Sequence, residues 1–87
     1  MNYKVLVFND GDFYIASLIE KDIMAQGSSI DEVLLRLELT LRVEVAVDNY
    51  DYIGDSLKDF QDKYNNIKDF SVVSWSDGSV FTYKVLV

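Results

Sequence analysis

The middle of the chain, residues 27–48, constrains the fold most, because its hydrophobic residues fit two different secondary structures. The stretch LRLELTLRVEVAVD, residues 35–48, alternates apolar and polar residues almost perfectly, as a half-buried strand does. The same region also carries an apolar stripe with helical spacing, made of Ile30, Val33, Leu34, Leu37, Leu41 and Val45. Since one strand of this length would be unusual in so small a domain, we predict a helix that ends near Ala46.

The start of this helix is marked by a capping motif. Ser29 and Glu32 form the S-x-x-E pattern, in which the serine accepts from a backbone N–H and the glutamate returns to the N-cap amide. Asp31 and Glu32 also place negative charge where the helix dipole favours it. A helix that begins after Ser29 is therefore predicted.

Strands are predicted on both sides of the helical region. Two Asp-Gly pairs, Asp10-Gly11 and Asp77-Gly78, each lie between strand-like segments, a strong signal for hairpins. A third strand is expected at about residues 22–26, and a second helix, capped by Asp55 or Ser56, should end near residues 65–66. The prediction is one α+β domain, residues 1–87, in the order β-β-β-α-α-β-β. Its mostly antiparallel sheet would be covered on one face by two helices.

Composition narrows the possible functions. The chain has no Cys, His or Pro, which removes thiol nucleophiles, Cys/His zinc sites and the commonest general base. Its 8 Lys and Arg stand against 15 Asp and Glu, for a formal net charge of -7, so direct binding to nucleic acid is unfavourable and a basic protein is a better partner. No segment suggests a signal peptide or a membrane span, so a cytoplasmic, soluble protein with no cofactor and no catalytic activity is expected.

A second apolar stripe should lie on the other side of the first helix. It consists of Leu35, Leu39, Val43 and Ala46. Either the second helix or the C-terminal strands cover this stripe, or part of it stays exposed as a contact surface for a partner or a second copy. The sequence leaves both alternatives open.

Acidic and aromatic residues follow the first helix. Aspartates recur every three or four residues, at Asp48, Asp51, Asp55, Asp59 and Asp62. A calcium loop aligned on Gly54 fails, because Ile53 and Phe60 would occupy ligand positions. The series is therefore either a solvated helix face or a docking surface for a basic partner. Tyr50 and Tyr52 are predicted to be exposed interface anchors. The candidate partner-binding residues are Leu35, Leu39, Arg42, Val43, Tyr50, Asp51, Tyr52, Asp55 and Asp59, and no metal site is predicted.

The first half of the chain resembles the N-terminal domain of HicB-type antitoxins. The resemblance covers residues 3–46 and rests on Tyr3, the acidic turn at residues 10–12, the strand FYIAS and the junction AQGSSIDE, residues 25–32. It implies three strands and a helix of a partial RNase H-like fold, a small basic RNA-cleaving toxin as partner, and homo-oligomers. The remainder, residues 47–87, is an acidic helix with a C-terminal hairpin, so operator binding is not predicted.

Three functions fit this sequence. The first is an antitoxin-like protein that neutralises a small basic toxin by occlusion. The second is a small acidic inhibitor that imitates nucleic acid, as some phage-encoded anti-defence proteins do. The third is a homo-oligomeric scaffold that uses a free sheet edge or the second apolar stripe.

Overall fold

The structure, a computed structural model, describes residues 1–75 and 77–87. Its elements are β1 (Asn2–Asp10), β2 (Phe13–Leu18), β3 (Met24–Gly27), α1 (Ile30–Ala46), a 3-10 turn (Tyr50–Tyr52), α2 (Lys58–Asn66), β4 (Ser71–Ser74) and β5 (Val80–Val85). The α+β class and the predicted order of elements are confirmed, and the leucine-rich middle is helical. Within the described residues, neither helix has the length and hydrophobicity needed to cross a membrane.

The five strands form one sheet in the order β3-β2-β1-β5-β4. The pairs β1–β2, β2–β3 and β4–β5 are antiparallel, whereas β1 and β5 are parallel. After the first three strands the chain passes through both helices and β4 before β5 pairs with β1. The first and last strands are therefore neighbours in the middle of the sheet.

The two faces of the sheet are covered by different helices. Side chains alternate along β1, so Tyr3, Val5 and Val7 point to one face, where they join the core cluster that includes Leu37 and Phe81. This is the face covered by α1. The side chains between this face of the sheet and α1 form the largest group of fully buried residues.

The second helix lies on the opposite face, which corrects the prediction that both helices cover the same one. By alternation along β1, Phe8 points to the face opposite Val5 and Val7. Its ring lies 5.4 Å from the ring of Phe60 in α2. The Tyr64 hydroxyl donates to the carbonyl of Thr82, and the Lys84 ammonium lies 4.2 Å over the Tyr64 ring. Polar-apolar alternation does not say which face a later helix covers, so this placement depends on the path of the chain.

The N-terminus of α1 forms half of the predicted capping box. The Ser29 hydroxyl accepts from the Glu32 N–H at 3.1 Å. The Glu32 carboxylate does not return to the Ser29 amide; it accepts from the Ser28 hydroxyl at 2.8 Å and pairs with Arg36 at 3.0 Å. A second serine and an arginine one turn later compete successfully for the carboxylate.

The C-terminus of α1 ends in a Schellman motif. The Asp48 N–H donates to Val45 O and the Asn49 N–H to Glu44 O, which satisfies two of the last helical carbonyls. Asp48 adopts a left-handed conformation with φ of 56°. This geometry reverses the chain and directs it into the 3-10 turn.

The first hairpin turn differs from the Asp-Gly turn expected. Asp10 pairs with Phe13, so the two central residues are Gly11 and Asp12, and of these Gly11 alone has a positive φ, 62°. Glycine at the first central position is typical of a type II′ turn. The second predicted turn includes Ser76, which lies outside the described residues, although β4 and β5 pair as a hairpin requires.

The prediction that Asp55 or Ser56 caps α2 is wrong. Leu57 occupies the N-cap position, and no side chain caps this helix. Ser56 is buried, where its hydroxyl donates to Ile19 O at 2.7 Å and its own carbonyl accepts from Gln61 at 3.0 Å. The serine therefore ties the start of α2 to the end of β2.

Candidate protein-binding surface

The outer side of α1 carries an exposed apolar row, which we call the outer row. It consists of Leu35, Leu39 and Val43, which are 47%, 53% and 58% exposed. Since α2 lies on the far side of the sheet, no described element covers this row. Of the two alternatives that the sequence allowed, the exposed stripe is the one observed.

The charges beside the outer row are paired within the chain. On one side Arg36 pairs with Glu32, and its guanidinium also donates to Gln26 O at 3.0 Å. On the other side Arg42 pairs with Glu38 and reaches Asp77 at 3.5 Å. The row is therefore an apolar strip whose two flanking arginines are both paired within the chain.

A cleft opens along the Arg42 side, between the second half of α1 and the start of β5. Its volume is about 290 Å³, and its apolar wall comprises Tyr3, Leu41, Val45 and Phe81. The charged groups Glu38, Arg42 and Asp77 line the same space. We call it the α1–β5 cleft.

Glu38 is a charged group whose burial the sequence did not predict. Its side chain is only 7% exposed, although an i,i+4 pair such as Glu38 and Arg42 usually lies on a solvated helix surface. Its position offers a signal: Glu38 lies on the helix beside the buried Leu34 and Leu41, four residues after one and three before the other. The arginine provides the charge partner that a buried carboxylate requires.

Asp77 closes the α1–β5 cleft from the β4–β5 connection. Its carboxylate accepts from the backbone N–H of Ser79 at 2.8 Å, and this bond, followed by the nearby Arg42, lowers the pKa of Asp77. The carboxylate is thus held in its charged form. It extends the anionic character of the cleft to the surface.

A second cleft, of about 550 Å³, lies at the C-terminal end of α1 and is called the tyrosine cleft here. It is lined by residues that include Tyr3, Asp48, Tyr50, Asp51 and Tyr52. It shares Met1, Tyr3 and Val45 with the α1–β5 cleft, so the two clefts are adjacent, and together they are called the groove.

The two predicted tyrosine anchors differ in exposure. Tyr52 is 86% exposed, as expected. Tyr50, by contrast, is partly buried: its ring lies 6.5 Å from that of Tyr3, and the Lys21 ammonium lies 5.3 Å from its centroid. Burial is the main cause of the raised pKa of Tyr50. Tyr52 is therefore the tyrosine available to an incoming protein, and Tyr50 is a wall of the cleft.

The predicted acidic residues do not share one surface. Asp51 is exposed beside Tyr52, and Asp55 is exposed in the segment that leads from the tyrosine cleft to the other face of the sheet. Asp59 lies on α2, where it pairs with Lys63 at 3.0 Å. The outer row, Arg42, Tyr50, Asp51 and Tyr52 thus belong to the α1 side of the molecule, whereas Asp59 does not.

No protein-family model, curated protein or solved structure matches this chain. The α1 side of the molecule carries an uncovered apolar strip and an anionic, aromatic groove. This combination suits a partner with both apolar and basic side chains.

Proposed function

We propose that this protein is a non-catalytic binding protein that neutralises a small basic, RNA-cleaving toxin by covering it, as HicB-type antitoxins do. The observation that carries the proposal is the uncovered outer row on α1. Leu35, Leu39 and Val43 follow one another at four-residue intervals, so they span about 12 Å of helix at 1.5 Å per residue. Contact with a partner would remove this strip from water.

The groove beside the outer row supplies charge complementarity. Within the described residues, Asp48 and Asp51 take part in no salt bridge, and both line the tyrosine cleft next to the exposed Tyr52. A basic side chain placed there meets carboxylates and aromatic rings together, which favour a guanidinium or an ammonium group. The net charge of -7 also favours encounter with a basic protein.

The class of partner comes from the resemblance of residues 3–46 to the HicB-type domain. The three strands and the helix that this resemblance implies occur here as β1, β2, β3 and α1. The junction between β3 and α1, residues 25–32, is one of the segments on which the resemblance rests.

Imitation of nucleic acid is less well supported. A mimic of a phosphate backbone needs a row of negative charges that the protein itself does not neutralise. On α2, however, Asp59 pairs with Lys63 and Asp62 with Lys58, at 3.0 Å and 3.3 Å. Both aspartates of α2 are therefore compensated, although exposed pairs of this kind are weak.

The proposal predicts that a small basic protein is encoded beside this chain, and the experiment is a neutralisation assay with that protein. We expect that protein to cleave RNA and an equimolar amount of this chain to stop the cleavage. Leu39→Arg should weaken the complex at least about tenfold, or about 1.4 kcal/mol, and Tyr52→Ala should also weaken it. The matched control is Asp59→Asn, which lies across the sheet and should bind as the wild type does.

Three results would contradict the proposal. The neighbouring protein could retain its activity at full saturation with this chain. Asp59→Asn could weaken the complex as much as Leu39→Arg, which would move the contact to α2. Binding could also compete with RNA and fall steeply with salt while Leu39→Arg has no effect, which is the result that imitation of nucleic acid requires.

A further inference from the structure

The outer edge of β4 presents unpaired backbone groups in a regular pattern. The Trp75 N–H donates to Ser79 O, which continues the β4–β5 register, so residues 73 and 75 direct their hydrogen bonds toward β5. By alternation, Val72 and Ser74 direct their N–H and C=O groups away from the sheet. The hydrogen bonds on the other side of β5 follow the same alternation. There the Val80 N–H points away from β4 and donates to Met1 O, at the start of β1.

The two edges of the sheet are protected to different degrees. At the β3 edge, Gln26 O faces outward but already accepts from the Arg36 guanidinium. The β4 edge, Ser71–Ser74, carries no charged side chain, and Phe70 and Val72 are exposed beside it. Natural proteins usually block an exposed edge with charge, proline or a bulge. The β4 edge has no charge or proline of its own, so it is open to a further strand.

We propose that a second copy of this chain adds its β4 strand here, antiparallel, with the two-fold axis at Val72. Val72 would then exchange both backbone hydrogen bonds with Val72 of the second copy, and Phe70 would lie opposite Ser74. Because alternate residues share a face, the exposed Phe70 and Val72 of both copies form one apolar cluster. A two-fold axis at Ser74 would instead separate these side chains.

The charges near the edge are compatible with a second copy. With Val72 at the axis, Asp69 of the two copies lies six residues apart, which is about 20 Å at 3.4 Å per residue. Lys68 of each copy lies at the end of the seam where the β4–β5 connection of the other copy carries Asp77. The seam thus excludes like charges despite the net charge of -7.

The strand is short, so we expect a weak dimer, with a dissociation constant between micromolar and millimolar. This inference is independent of the basic partner, because β4 and the outer row are different surfaces. A dimer that fails to form leaves the neutralisation assay unaffected, and the reverse is also true.

The test is a charge exchange at Val72 in the full chain, read by light scattering and sedimentation up to millimolar concentration. The wild type should approach twice the chain mass of 10.0 kDa. Val72→Lys and Val72→Glu should each weaken the dimer at least about tenfold, because the same charge faces itself across the axis. An equimolar mixture of the two variants should restore it.

The control is Leu39→Arg, which should dimerise as the wild type does, and circular dichroism checks that each variant is folded. Three outcomes would overturn the proposal. The wild type could remain a monomer at millimolar concentration. Leu39→Arg could abolish the dimer, which would assign it to α1. The Lys and Glu variants, both folded, could fail to restore a dimer on mixing, which would mean that Val72 does not face itself and that the edge accepts a different strand.

Discussion

Gly27 lies so close to Val33 that a Cβ at residue 27 would be 2.9 Å from the Val33 nitrogen and 3.1 Å from its Cα. Val33 is fully buried, and its N–H donates to Ser29 O at 3.0 Å. Both close atoms belong to the backbone of the first turn of α1, so neither can rotate aside. The end of β3 and the start of α1 therefore approach each other as closely as a glycine allows.

We predict that Gly27→Ala lowers the free energy of unfolding by about 1–3 kcal/mol, because β3 and α1 must separate to admit the methyl group. Urea denaturation measures this loss. Gly54→Ala is the matched control, since a Cβ there would meet nothing within 4 Å. It should raise the free energy of unfolding slightly, by at most about 1 kcal/mol. Equal denaturation midpoints for the two variants would show that the β3–α1 contact is not tight.

The orientation of α1 can be tested with two leucines from one helical turn. Leu37 is fully buried and Leu35 is half exposed. Leu37→Ala should cost about 2–5 kcal/mol, because it leaves a cavity in the core. Leu35→Ala should cost less than about 1 kcal/mol, since water already reaches the side chain. Similar losses for the two variants in urea titrations would contradict the proposed exposure of the outer row.

Local features made the first helix predictable. The cap at Ser29 and the stripe that includes Leu34, Leu37 and Leu41 depend only on residues near one another in sequence, and α1 begins and ends where they indicate. The same holds for the strands beside the glycine turns, although the first turn is shifted so that Gly11 takes the first central position.

Features that depend on distant contacts were not predictable. The path of the chain after Tyr52 decides which face α2 covers, and no period in the sequence records that path. The same limit applies to the candidate site. The sequence leaves the exposure of Leu39 open as one of two alternatives, and it groups Asp59 with residues that lie on the other face of the sheet. The cleft that Glu38 lines likewise includes Phe81 of β5, which follows it in the chain by some forty residues.

Acid should destabilise the domain through two exposed carboxylates. A hydrogen bond from Ser28, aided by Arg36, lowers the pKa of Glu32 below 4.5, and the Ser79 amide lowers the pKa of Asp77 below 3.8. The unfolded chain then binds more protons than the folded one at acidic pH, so stability rises with pH in this window. The contribution is fully present above these unfolded values and is lost as the pH falls through the lower folded values.

Glu32→Gln should therefore make the acid limb of the stability profile less steep. The measurement is a series of urea titrations between neutral pH and about pH 3, for the wild type, Glu32→Gln and Asp77→Asn. Each variant should be less stable than the wild type at neutral pH, and the difference should shrink toward the acid end. A constant difference at every pH would show that the lost interaction does not depend on the charge of the carboxylate.

The left-handed residue at the end of α1 connects stability with the proposed function. Asp48 has a φ of 56°, which strains a residue that carries a Cβ, and its charge lies at the negative end of a helix whose last turn has no basic residue. We predict that Asp48→Gly raises the free energy of unfolding by about 0.5–1 kcal/mol, after allowance for the greater entropy of glycine in the unfolded chain. Asp48→Asn separates the two causes, because it removes the charge and keeps the Cβ.

Asp48 also lines the tyrosine cleft, so both variants should weaken a complex with a basic partner even as they stabilise the free protein. Such opposition is expected where a strained or repelled residue is retained for binding. Urea titrations measure the first effect and the neutralisation assay measures the second. If Asp48→Gly instead lowered stability, the aspartate side chain would have to stabilise the helix end by more than its strain and charge cost. If both variants bound the partner as the wild type does, the basic side chains would have to enter the groove elsewhere, nearest to Asp77 in the α1–β5 cleft.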